Sequence, residues 1–366
     1  MFFERIGYGI DKNRIPKGLE IELNKRMSQT MSEVRAATKD AVCFHCGKSV
    51  TSFCNSHNVP HFCLENIRVD GKVTGPNAIL GLPCMGVSIG KESPGIGEAG
   101  TFQMICRECD SKIFQEYENP DNYSTDAPPT QKMLAEIAMK NYLKFISKRK
   151  LEIALLERLI KQCPRRGIEY YYFETRLNTY KVDLDVYINE YKHAKKLASK
   201  DNSNGFYIIY YRLLDYVAPV AIQAPIAVSI DLEGNVVNDI FNTNPKYKVS
   251  DLHLCVFPLK SQTAIILFIN EGENRYRKFY KQFRMKDDSE KLGIINYLIF
   301  LYCEDYFLAK ELPTKVDLSQ FKNVANLTPA VWDIKPVAQT SILAEAFTLS
   351  KWNSIPNLLG ECYKVR

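Results

Sequence analysis

Two short stretches decide how this chain is read: CFHCG at residues 43–47 and CRECD at residues 106–110. Each carries two cysteines separated by two residues, so both thiolates of a pair can reach one ion from a single tight turn. Two such pairs supply four thiolates, the donor set of a closed tetrahedral structural zinc site. Gly47, directly after the first pair, suits the positive φ that such a turn requires. The second pair runs straight into SKIFQEYE, a helical pattern, which puts Cys106 and Cys109 at a helix N-terminus. A turn-borne pair followed by a helix-borne pair is the ligand arrangement of a treble-clef zinc finger. The gap of about 60 residues between the pairs exceeds the usual zinc-ribbon spacing and implies an inserted loop.

Between the pairs lies FCNSHNVPHFC, residues 53–63. Cys54 and His57 have the spacing of half a metal site, which Cys63 and Cys84 would complete as a second zinc. Alternatively Cys43, Cys46, Cys106 and Cys109 complete the only zinc site, which leaves His57 free to act as a base or to bond the backbone near Pro60. His61 reads as a structural or surface residue, and His45, inside the first turn, as exposed.

The rest of the composition bounds the class. The chain has 366 residues, 46% hydrophobic and 25% charged, enough to build substantial cores. A net charge of +6 permits an anionic partner without demanding one. The longest apolar run, LGIINYLIFLYC, is too short to span a bilayer, so no membrane association is expected. The opening MFFERIGYGIDKNR has early charges and no apolar h-region, which argues against a signal peptide. Eleven cysteines without an export signal then fit a reducing, cytoplasmic setting and a metal rather than disulfides. Gly-rich GYGIDKNR and GIGEAG lack the Walker lysine, and no Gly-x-Ser-x-Gly elbow is present, so neither a P-loop nor a hydrolase elbow is read here.

An α+β architecture follows from the periodicities. Residues 1–40 form an N-terminal segment with a short charged helix. Residues 41–126 form the zinc module, a ββα unit rich in Cys, Gly, Pro and Asn that needs a metal staple. Residues 127–204 are helical, with one helix from Thr130 to the breaker Pro164 and a second over DLDVYINEYKHAKKLASK, 183–200. Residues 205–366 form an α+β region with antiparallel strands at FYIIYYRLL, PIAVSIDLEGNVV, LHLCVFPL and TAIILFIN. The last two are joined by the tight turn KSQ. Helices follow at NRYRKFYKQFRMK and EKLGIINYLIFLYCEDYFLAK, then a loop-rich tail.

Two basic stretches are candidate nucleic-acid contacts. The first carries Lys132, Lys140, Lys144, Lys148, Arg149, Lys150, Arg158, Lys161, Arg165 and Arg166, and is densest at Lys148, Arg149 and Lys150. Its other reading is a solvated helix face. In the second, Tyr276, Phe279, Tyr280 and Phe283 share one helix face, which turns these rings to the core and the basic residues outward.

The order CFHC, NSHNVP, ICRECD resembles the core of HNH-type nucleases built on a zinc-bound treble clef. The resemblance covers roughly residues 41–120, about a quarter of the chain. It implies that His57 is the general base and that Asp110 holds a catalytic Mg²⁺ or Mn²⁺, with Glu118 assisting. Ser56 departs from the pattern, standing where the family has Asp or His, and serine is a poor ligand for a hard cation. Over more of its length the chain is similar to a bacterial family carrying Ser-His-x-(Ile/Val)-Pro, Ala-x-Thr-Phe and Cys-x-x-(His/Cys)-Asp, which brings no chemistry of its own.

The expected function is therefore a metal-dependent nuclease acting on nucleic acid, DNA favoured over RNA. It is fused to a region that senses, targets or oligomerises, through a second copy or a partner in bacterial defence against phage. The rival expectation is a non-catalytic zinc-finger protein that binds nucleic acid or another protein.

Overall fold

The structure, a computed structural model, describes residues 25, 29–77, 88–92, 94–124, 127–163, 167–200, 204–240, 242, 244, 246–325 and 347–366. The expected N-terminal segment thus enters chiefly as a helix over residues 29–37, while Cys84, Arg165 and Arg166 lie outside the described residues.

The Cys-rich segment is built from very short elements. Strand β1 (Ser56–His57) pairs antiparallel with β4 (Thr101–Phe102), with Ser56 opposite Phe102 and His57 opposite Thr101. Between them come helix α1 (His61–Ile67) and the antiparallel pair β2 (Gly75–Asn77) and β3 (Ser88–Glu92). Helix α2 (Arg107–Ile113) follows β4 directly. The helical pattern through Glu118 is cut at Phe114, and the chain turns over residues 114–118 instead.

Two long antiparallel helices follow. Helix α3 (Gln131–Gln162) starts at Thr130, whose hydroxyl accepts from the Met133 N–H at 3.2 Å, and ends at Cys163, just before the expected breaker. Helix α4 (Ile168–Ala198) begins well before the expected start at residue 183. Its first half is rich in tyrosine, which has modest helix propensity. Packing overrides that weakness: Phe173, Leu177 and Tyr180, spaced four and three residues apart, bury against Leu155, Leu156 and Leu159 of α3.

A five-stranded sheet carries the C-terminal half, in the order β5-β8-β7-β6-β9 with antiparallel neighbours. Its strands are β5 (Phe206–Leu214), β6 (Val220–Ile226), β7 (Leu252–Pro258), β8 (Thr263–Asn270) and β9 (Tyr306–Leu308). The strand expected over PIAVSIDLEGNVV lies earlier, because residues after Ile226 form a loop. Asp231 holds that loop by accepting from the Glu233 and Asn235 N–H groups at 3.0 and 2.8 Å. Helices α5 (Arg277–Arg284) and α6 (Asp288–Tyr302) come next. As expected, Tyr276, Phe279 and Phe283 are buried, with Tyr280 partly so. The last expected helix stops at Tyr302, and Tyr306–Leu308 becomes the edge strand β9. Short helices α7 (Leu312–Lys315) and α8 (Ser319–Ala325) lead on. No helix among the described residues is long and apolar enough to cross a membrane.

Both faces of the sheet are covered, which is why its central strands read as continuous apolar runs. On β7, Leu252, Leu254 and Val256 pack with α5 and α6, whereas Cys255 and Phe257 face α3 and the Cys-rich module. One hydrophobic cluster joins that module, α3, α4 and one sheet face. That cluster holds residues from the ranges 41–126, 127–204 and 205–366 alike.

Side chains and backbone pin the module to the sheet. Asn58 Nδ2 donates to the Gln223 carbonyl at 2.7 Å and Asn66 Nδ2 to the Pro258 carbonyl at 3.1 Å. Thr74 and Leu308 exchange both backbone hydrogen bonds, at 2.8 and 2.7 Å. Phe307 lies against the backbone of Gly75 and Gly100, and a Cβ on Gly100 would stand 2.9 Å from its ring. Gly100 also has φ +69°. Left-handed backbone and overpacking act together here, so Gly100→Ala is expected to destabilise the protein by about 2–4 kcal/mol in chemical denaturation.

Candidate functional site

The sulfurs of Cys43, Cys46, Cys106 and Cys109 all lie within 4.8 Å of one another, the expected four-cysteine cluster. The local fold explains this. The Gly47 N–H donates to the Cys43 carbonyl at 2.8 Å and the Cys43 N–H to the Lys48 carbonyl at 2.9 Å, closing a turn with Gly47 at φ +70°. Cys106 caps α2 and Cys109 lies one turn inside it. The Cys106 N–H donates to the Cys43 sulfur at 3.3 Å, bringing the halves together. Burial opposes ionisation of Cys43, but backbone N–H groups of Cys46, Cys106 and His45 outweigh it and hold the thiol down at about 7. Burial and the neighbouring sulfurs push Cys109 up. Four sulfurs so close together fit a closed structural metal site. None of the described cysteines forms a disulfide.

Helix α4 braces the first turn. His45 Nδ1 shares a 2.6 Å hydrogen bond with the Tyr191 hydroxyl, and Lys195 donates to the His45 carbonyl at 2.8 Å. His45 is thus half-buried where exposure was expected; burial and Lys195 push its pKa down to about 4.

Outside the cysteines, Asp110 and Ser56 share a cage with a residue that sequence reasoning assigned to an open basic stripe. Lys140, on α3 and only 1% exposed, donates to Asp110 Oδ1 at 3.0 Å and to Ser56 Oγ at 2.8 Å. It also pairs with Glu118 Oε1 at 3.1 Å and lies 3.9 Å from the centre of the Phe114 ring. An ammonium has three N–H donors, and here each has an oxygen. Ser56 Oγ donates in turn to Asp110 Oδ1 at 2.5 Å, and Cys54 Sγ to Oδ2 at 3.3 Å. Burial would raise the Asp110 pKa, but Lys140 and these hydrogen bonds outweigh it and hold the carboxyl below its usual range.

This arrangement does not fit the catalytic Mg²⁺ or Mn²⁺ expected on Asp110. Both of its oxygens are engaged, and the nearest acidic neighbour, Glu118, is tied to the same ammonium. Cys54 is spent on Asp110, and burial and that carboxylate push its thiol up to about 11. Cys63 is wholly buried in the core. Among the described residues, the only group of three or more His, Cys, Asp or Glu side chains placed to hold a metal is the four-cysteine one; Cys84, which the second-zinc reading also needs, lies outside them.

His57 faces elsewhere. Its Nε2 lies 2.8 Å from the Ile96 carbonyl. A carbonyl can only accept, so Nε2 carries the proton and Nδ1 keeps its lone pair. Burial lowers the His57 pKa; the Ile96 bond and Glu118 oppose this, while His61 and Lys140 add to it. Beside it, His61 from the first turn of α1 meets the His57 ring edge-on, with centroids 5.1 Å apart. His61 is half-exposed and sits 3.9 Å from Glu65. Sequence reasoning missed this pairing, although the four-residue spacing across Pro60 brings a strand end and a helix start back together.

Most of the basic stripe is paired with acids. Lys148 pairs with Glu304 and Glu152, Arg149 with Glu152 at 2.7 Å and Asp183 at 3.0 Å, and Lys150 with Asp40 at 2.7 Å. Lys132, Lys144 and Arg158 pair with Glu116, Asp305 and Glu33. Lys148, Arg149 and Lys150 thus tie α3 to segments distant in sequence through Glu304, Asp183 and Asp40.

If the cysteine cluster is the staple of the module, elemental analysis should find roughly one bound metal per chain in the native protein and none in Cys109→Ser. The same variant should melt at a markedly lower temperature.

No family model matches this chain, nor does any curated protein or solved structure.

Proposed function

We propose that the chain is a zinc-stapled nuclease-like protein in which His57 is the general base and His61 the general acid. Four cysteine sulfurs within 4.8 Å of one another suit zinc, a d¹⁰ ion that needs no further ligand, and its role is to hold the ββα unit together. The observation that carries the catalytic reading is the pair of imidazoles 5.1 Å apart, one fixed as the Nδ1-basic tautomer by the Ile96 carbonyl. A neutral histidine next to a more exposed one is a matched base and acid for moving a proton on and off oxygen.

The engagement of Asp110 by Lys140 shapes the choice of substrate. Hydrolysis of DNA by water without a Lewis acid has to overcome a very high barrier. RNA carries its own nucleophile, the 2′-hydroxyl, which is already positioned by the chain it belongs to. His57 Nδ1 takes the 2′-hydroxyl proton while that oxygen bonds to phosphorus. The bond from phosphorus to the 5′-oxygen breaks, and the leaving oxygen takes the proton of His61. The products are a 2′,3′-cyclic phosphate and a free 5′-hydroxyl. RNA thereby replaces the DNA favoured from sequence.

A second reading has its own support. Ser56 stands at the usual acidic position and Asp110 is already paired with Lys140, as a non-catalytic zinc-stapled binding protein would permit.

Incubation with RNA and with plasmid DNA separates the readings. RNA should be cut without added divalent metal, and His57→Ala should lower the rate by roughly 100-fold or more. A 2′-deoxy linkage at the cut site should resist. Salt-sensitive binding with no cleavage of either polymer would support the second reading instead.

Acid dependence gives a further check. The base must be neutral to act, and the His57 pKa is depressed. Cleavage should therefore persist on acidification past about pH 6.5, the usual histidine value, and fall only on further acidification through the depressed His57 pKa.

A further inference from the structure

We propose that Lys140 is a tethered cation: its ammonium permanently occupies a divalent-cation-type site formed by Asp110, Glu118 and Ser56, and so closes that site to free metal. Two carboxylates and a hydroxyl converging on one point are hard oxygen donors, the set that Mg²⁺, Mn²⁺ or Ca²⁺ would use. The point is filled by Nζ at 2.8, 3.0 and 3.1 Å from Ser56 Oγ, Asp110 Oδ1 and Glu118 Oε1. These are hydrogen-bond distances. A small divalent ion needs oxygens at about 2.0–2.1 Å, so the donors would have to close in around it.

The ammonium cannot readily step aside. Lys140 lies in the interior of α3, where residues 133–143 are all buried. Its stem runs through packed core, and the Phe114 ring covers the ammonium on another side. Moving the charge out of the cage would leave it in apolar surroundings, a far worse place for a cation. An incoming divalent ion would also meet a fixed positive charge within the same set of oxygens. The second oxygen of Asp110 is engaged as well, since Cys54 Sγ donates to Oδ2. The other side chain on Glu118 Oε1 is the Tyr117 hydroxyl, which donates to it at 3.1 Å.

Removal of Nζ then has a definite consequence. Two carboxylates and a hydroxyl lose their cation together and become a vacant site for a hard metal. The inference concerns metal occupancy and stands whether or not His57 catalyses anything.

The test is Mn²⁺ titration of the full, zinc-loaded chain, followed by the electron paramagnetic resonance of free Mn²⁺. The native protein should show no stoichiometric site, and Asp110→Asn should bind Mn²⁺ no differently. Lys140→Ala should gain one Mn²⁺, bound at least roughly tenfold tighter than by the native chain, and Lys140→Ala with Asp110→Asn should lose it again. Lys140→Met, which keeps the apolar stem, should behave as Lys140→Ala does. Retained zinc and an unchanged circular dichroism spectrum certify that a variant is folded. A native chain that binds one Mn²⁺ through Asp110 would overturn the proposal, and that comparison needs no Lys140 variant at all. Folded Lys140 variants that bind no Mn²⁺ would overturn it equally.

Discussion

The Lys140 ammonium sits where three parts of the molecule meet: the buried stretch of α3, the start of α2 and strand β1. Burying an ammonium costs several kcal/mol even after the surroundings relax. Two carboxylates near 3 Å each return roughly 5 kcal/mol at an effective dielectric of about 20, so the cage is favourable only if both are held in place. That requirement fixes much else. Asp110 must lie at the start of α2, which the Cys106–Cys109 pair determines. Glu118 must be brought back by the turn after Phe114, and Ser56 must present its hydroxyl from β1. The cysteine cluster and the cage are therefore two clamps on one short unit, one outside and one facing the core.

What was legible in the sequence was whatever depends on local spacing. The two Cys-x-x-Cys pairs, the cap at Thr130, the β7–β8 hairpin and the aromatic face of α5 can all be read within a few residues. What escaped depends on distant partners. The first half of α4 has weak helical propensity and is helical because α3 offers it an apolar stripe. Tyr306–Leu308 continues a helical-looking run, yet it pairs with β6 and with Thr74. Lys140 was the largest miss. Its position in AEIAMKNYL, among residues that all face the core, was the available signal, because a lysine in such a stripe must bring a partner with it.

The same reasoning explains why the basic stretch of α3 misled. A charge count along a helix does not register acids from elsewhere that fold onto it. Asp40, Asp183, Glu304 and Asp305 are each at least 30 residues away in sequence from the side chains they neutralise. Arg149 shows the consequence most fully: it is clamped by Glu152 and Asp183 and lies over the Tyr180 ring, 4.0 Å from its centre. Such a guanidinium braces the pair α3–α4, and its unpartnered donor, Nε, is buried.

Ser56, the residue at odds with the nuclease pattern, ceases to be anomalous once Lys140 is counted. A site that binds a divalent ion needs acids enough to balance two positive charges. Here the cation carries one, and Asp110 with Glu118 already exceeds it. A third carboxylate at position 56, within hydrogen-bond reach of Asp110, would add like-charge repulsion with nothing to offset it. A hydroxyl does what a carboxylate cannot: it accepts from the ammonium and donates to Asp110 at the same time. The serine and the lysine are thus two halves of one arrangement, in which a chain-borne cation takes a metal's position and one acid becomes superfluous.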